Sequence, residues 1–247
     1  MSSLAIAVTA CALILASVFT GMILHRKLPE RHLTGDSKDV IKLATALIGT
    51  MSALVLALLF ASTRTSFEKT SATVSRMTAD IVELDQLLEE YGPEGQPVRV
   101  ALRAEIGPWV DSIWREAAQE RGGKGMAKTN RATILDMVRA FAPQNPVQAS
   151  VQARALQVLQ DIRETRLALF AQPEDSISST FVIVLVIWLM FIFAVFGMTA
   201  PPNPTLTVVL VICVLSASTA IYLILELAQP FDGLMQLSNE GLRNALR

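Results

Sequence analysis

The stretch Gly122-Gly-Lys-Gly-Met-Ala-Lys-Thr129 comes within one position of a phosphate-binding loop, in which glycine amides cradle a nucleotide's phosphates and a lysine reaches them. Alanine stands at 127 where the second glycine belongs. The preceding Ile113-Trp-Arg-Glu-Ala-Ala-Gln-Glu-Arg121 has helical character, whereas such a loop must follow a strand for its amides to converge. The segment therefore reads as an interhelical turn. His25 and His32 flank a proline in a short loop with only scattered acids nearby, too few donors at defined spacing to hold a metal. Residues 64–175 contain no histidine, so no nucleophile, base and orienting group assemble around one. The chain is expected to be no enzyme and to need no cofactor. Cys11 and Cys213 lie in apolar runs, where a thiol behaves as a small hydrophobe, and neither a disulfide nor a thiolate metal site is expected.

Composition points to a bilayer. The 247 residues are 52% hydrophobic with mean hydropathy +0.45, too apolar for a soluble domain that must cover its core with charge. Net charge is −1 and the basic residues are scattered singly, which excludes a nucleic-acid arm or stripe.

Four segments are long and apolar enough to span. Residues 1–24 carry no charge, and the basic Arg26 and Lys27 follow the apolar run instead of preceding it; this predicts a retained first span, not a cleaved leader. Residues 43–63, between Lys42 and Arg64, would rise about 31 Å as a helix, the hydrocarbon thickness of a bilayer. Asp36 and Asp39 mark the start of that helix, acids at the positive end of its dipole. Residues 176–225 hold no charge and are interrupted by Thr199-Ala-Pro-Pro-Asn-Pro-Thr205, which predicts two spans joined by a prolyl hairpin and closed by Glu226.

Between Arg64 and Asp175 the chain is polar, with apolar residues at helical spacing: Val74, Met77, Ile81, Leu84 and Leu88; then Leu102, Ile106, Trp109 and Ile113; then Ile134, Val138 and Phe141; then Val151, Ala155, Val158, Ile162 and Leu169. Gly92-Pro93, Gly122-Gly123, Pro143 and Pro146 break the pattern. The expected architecture is an all-α membrane protein with four transmembrane helices and a helical extramembrane domain inserted between spans 2 and 3. The boundaries are 1–63 (spans 1 and 2), 64–175 (helical domain), 176–228 (spans 3 and 4) and 229–247 (tail). Four crossings put both termini and the domain on one face. Charge bias does not choose that face, because basic residues flank the spans on both sides.

Span 2 carries a stripe of small or polar residues: Thr45 or Ala46, then Gly49, Ala53, Ala57 and Ala61, with Thr50 and Ser52 beside it. Such a stripe permits close approach of a neighbouring helix; equally it can line a lumen. Spacing alone leaves both readings open.

Two short segments resemble a known family. The run Ala53-Leu-Val-Leu-Ala-Leu-Leu-Phe-Ala-Ser-Thr-Arg-Thr-Ser-Phe-Glu-Lys69 is similar to the bacterial bestrophin pattern of an apolar span ending in G-F-R-x-N-x-A-Y-[DE]-R-W-W, matched here at Arg64, Ser66, Phe67 and Glu68. Glu226-Leu-Ala-Gln-Pro-Phe-Asp-Gly233 resembles the E-x-x-x-P-F-G that follows the last span, through Glu226, Pro230, Phe231 and Asp232. The chain is most similar to a bacterial bestrophin-like group. The resemblance implies a pentameric homo-oligomer in the inner cell membrane that passes monovalent ions, with span 2 lining the pore and the helical domain in the cytoplasm. It places the family's narrow neck on Ala53, Ala57 and Ala61, where bestrophins carry bulky apolar side chains. The paired tryptophans are missing, and the acidic run of a calcium clasp is reduced to Asp232, Asn239 and Glu240, so no calcium control is expected. A non-conducting membrane scaffold or signalling protein of the same architecture is the alternative.

Overall fold

A computed structural model describes residues 3–27, 35–105, 131–171, 179–199, 203–229 and 231. Among these residues every regular element is helical: α1 (Ser3–Lys27), α2 (Gly35–Tyr91), a 3₁₀ turn (Pro93–Gly95), α3 (residues 96–105), α4 (Arg131–Arg139), α5 (Pro146–Ala171), α6 (Ser179–Thr199) and α7 (Pro204–Leu227). Four helices are long and apolar enough to cross a bilayer: α1, the amino-terminal part of α2, α6 and α7. The phosphate-loop-like Gly122–Thr129, Ile106, Trp109, Ile113 and His32 lie outside the described residues. The chain divides into two compact units, one of residues 1–66 and 175–228, the other of 67–174 and 229–247, and α2 contributes to both.

In the first unit α1 packs against α6 and α7. Its buried residues are Ser3, Ala7, Ala10, Ile14, Ser17, Val18 and Gly21, a three-and-four repeat of mostly small side chains, while Leu4, Val8, Leu13, Phe19 and Ile23 face outward. Lipid is as apolar as leucine, so the packed face is set by close approach of the helices and not by polarity; Ala12 and Ala16, equally small, face outward. Gly21 and Gly197 make the closest crossing: a Cβ at Gly21 would run into the backbone of Ala194 and Met198, and one at Gly197 into that of Val18 and Met22. Two apolar clusters continue the contact, Ile14, Val18, Phe193, Leu210 and Val214 in one, Ala10, Leu59, Leu185, Ile221, Ile224 and Leu225 in the other. At the start of α7, Pro204 needs no amide partner and Asn203 Oδ1 accepts from the Thr205 amide at 3.1 Å, so the sequence that stops one helix caps the next.

The second unit has its own core. Val74, Met77, Ile81, Leu84 and Leu88 of α2 meet Val98 and Leu102 of α3, Ile134 and Val138 of α4, and Ala155 and Val158 of α5. Gly92, at φ 109° and ψ −158°, takes an extended positive-φ conformation open to glycine where α2 ends, and Gly95 fits beneath Leu88, whose carbonyl leaves no room for a Cβ. Asp85 then ties α2 to α3: Arg99 Nε and Nη2 donate to its two oxygens at 3.0 and 2.7 Å, and Arg103 Nη2 adds a third bond at 3.2 Å. Gln152 Nε2 donates to the carbonyls of Val138 and Phe141 where α4 ends, and Tyr91 stacks on Phe141 with centroids 4.3 Å apart.

Candidate pore-lining face

Within the first unit the bilayer part of α2 presents three sectors. Thr45, Ser52, Leu59 and Thr63 are buried against their own chain. A hydroxyl in such a place needs a partner, and each finds one a turn back on its own helix: Thr45 on the Ile41 carbonyl (2.8 Å), Ser52 on Ile48 (2.8 Å), Thr63 on Leu59 (2.7 Å). Val40, Leu43, Leu47, Leu54 and Leu58 form a second sector, exposed and large, the surface that hydrocarbon accepts.

The third sector is exposed and small: Ala46, Thr50, Ala53, Ala57 and Ala61. A helix turns about 100° per residue, so Ala53, Ala57 and Ala61 lie within about 80° of one another, the sector drifting gradually round the helix. Gly49 sits at its edge, half-buried, and a Cβ there would meet nothing within 4 Å. This differs from Gly21 and Gly197, where the missing side chain is filled by another helix. The small residues of α2 are therefore not an intrachain packing seam. Thr45 stands one turn before Gly49 but on the buried side, so the five residues of the sequence stripe are divided between two faces.

The sequence motif after the span follows directly. Arg64 and Glu68 are exposed, Ser66 and Phe67 half-buried. Of the carboxy-terminal motif, Glu226 is 3% exposed and Phe231 packs against the core of the second unit; Pro230 and Asp232 lie outside the described residues. Glu226 accepts a 2.8 Å hydrogen bond from Ser3 Oγ, a partner the sequence did not nominate. A carboxyl at the end of an apolar span needs polar partners, which was the signal available in the sequence, but nothing local pointed to Ser3.

Two aspartates outside the spans were also missed. Burial pushes the Asp80 carboxyl above its ordinary value, with Asp161 and Glu83 adding and Arg76 and Arg154 opposing. The Arg99 hydrogen bond holds Asp85 below it, helped by Arg103 and opposed by desolvation. Among the described residues no group of three or more His, Cys, Asp or Glu could hold a metal ion, and Cys11 and Cys213 are free thiols.

The described residues, helical in every regular element and with four apolar helices of bilayer length, define a helical membrane protein. The Bestrophin-like domain family matches residues 12–242. The chain belongs to the bestrophin-like family. No curated protein and no solved structure matched it.

Proposed function

We propose that the chain is one subunit of a homo-oligomeric ion channel, a pentamer in the inner cell membrane, with α2 around a central pore. Gly49, Ala53, Ala57 and Ala61 line the conduit, and Thr45 closes the stripe on the side of its own subunit. The four spans are α1, residues 43–63 of α2, α6 and α7, and residues 64–175 form a helical cytoplasmic domain inserted between spans 2 and 3, with 229–247 as the tail. Permeant monovalent ions are the substrate class.

The observation that carries this reading is the exposed small sector of α2. Lipid would leave a row of alanines and a glycine poorly packed, and the subunit itself puts nothing against Gly49. Arranged around an axis, the sector gives stacked rings, and the large sector beside it offers leucines to the neighbouring subunit or to lipid. Ion flux from liposomes carrying the purified protein tests the proposal, with Ala57→Phe as the control. Flux abolished by Ala57→Phe in an oligomer of unchanged size is the expected result. An oligomer that falls apart on this substitution assigns the sector to helix packing and favours the non-conducting scaffold.

A further inference from the structure

At the amino-terminal end of α2, Lys42 Nζ lies 3.3 Å from Asp39 Oδ1, with the two side chains 71% and 73% exposed. Their position on the helix matters more than the contact. Asp39 and Ala57 are separated by five whole turns, and Lys42 stands two turns before Gly49 and about three before Ala53. Both charges therefore fall on the small sector and not on the leucine sector. The pair also differs from Asp85 and Arg99, whose side chains are only 11% and 12% exposed and which clamp α2 to α3. Asp39 and Lys42 bridge no two elements. An exposed pair of this kind contributes only about 0–1 kcal/mol to a fold.

We propose that Asp39 and Lys42 set the balance between cations and anions at one mouth of the conduit, by presenting one charge of each sign per subunit so that the ring is neutral. This rests on the reading of α2 as pore-lining. A ring of unpaired charge raises the local concentration of the opposite ion and lowers that of its own sign, whereas a ring of pairs leaves only a short-range dipole. Neither residue is needed to hold the subunit together, so each can be neutralised alone. Five unit charges about 10 Å from the axis, screened at physiological salt, change the concentration of a monovalent ion at the mouth by about threefold, up for one sign and down for the other.

The test is the reversal potential of the reconstituted full-length protein in a tenfold potassium chloride gradient, for the parent, Asp39→Asn and Lys42→Gln. Asp39→Asn is expected to shift it toward the chloride potential and Lys42→Gln toward the potassium potential, each shift shrinking as total salt is raised. Conducting variants that both reverse where the parent does, or that both shift in one direction, overturn the assignment while leaving the pore in place. Absence of current from all three proteins as intact oligomers overturns the channel reading itself, and this inference with it.

Discussion

Ser3 and Glu226, 223 residues apart in sequence, are joined by a 2.8 Å hydrogen bond between two buried side chains. Ser3 begins α1 and Glu226 lies in the last turn of α7, so the start of the first apolar helix and the end of the last meet. The carboxylate also sits at the positive end of the α1 dipole, the favourable place for an anion beside an apolar bundle. Ser3→Ala takes a donor from a buried carboxylate and is expected to lower stability by about 1–3 kcal/mol. In the Glu226→Gln background the same change should be weaker by about 1 kcal/mol, a coupling read from a double-mutant cycle of thermal melts in detergent.

The glycines sort by what faces them. Gly21→Ala and Gly197→Ala place a methyl group against the backbone of the partnering helix, which no rotamer can relieve, and each should destabilise the first unit by about 1–3 kcal/mol. Gly49→Ala meets open space and gains helix propensity, so it should be neutral or stabilising by up to about 1 kcal/mol. Melting temperatures of the three variants in one detergent make the comparison.

Asp80 and Asp85 titrate in opposite senses. The folded Asp85 value is depressed, so its contribution is complete above the ordinary carboxylate range and is lost as pH falls through the lowered value; the folded Asp80 value is raised, so its contribution is present at low pH and is lost as pH rises through it. Asp85→Asn is therefore expected to lower stability at pH 7 by about 2–3 kcal/mol, a loss that shrinks below about pH 4. Asp80→Asn should raise stability at pH 7, and its advantage should fade toward the same acid range. Thermal unfolding of both variants between pH 3 and 7, set against the parent, checks the signs.

Sidedness has a direct readout. A reporter fused after Arg247 is expected to be active when it requires the cytoplasm, and an export-dependent phosphatase fused there is expected to be silent. Phosphatase activity would place the tail on the other face.

The helices themselves were legible because periodicity works where one face is wet. Val74, Met77, Ile81, Leu84 and Leu88 stand out against polar neighbours, and all five are buried in the second unit's core. Inside a bilayer that contrast disappears. Ile14 is fully buried and Leu13 faces outward, yet the two are chemically alike, and size does not separate the faces of α1 either, since Ala7, Ala10 and Gly21 are packed while Ala12 and Ala16 face outward. The stripe on span 2 was read from the same kind of size contrast, which is why it gathered Thr45, a residue of the packed face, with Ala53, Ala57 and Ala61 of the exposed one. A four-residue step drifts about 40° per turn, and a list of small residues does not record where it leaves one face for the next. The Ser3–Glu226 and Asp85–Arg99 contacts depend on helices meeting, which no local pattern encodes.

In the proposed assembly the exposed small sector of α2 faces water. With Cys11 and Cys213 replaced, single cysteines at Ala53, Ala57 and Ala61 should react with a membrane-impermeant charged thiol reagent and lose conductance as they do so, while a cysteine at Leu54 or Leu58 should not react. Unreactive cysteines at all three alanines, in an oligomer that still forms, would rule out a water-lined sector on α2.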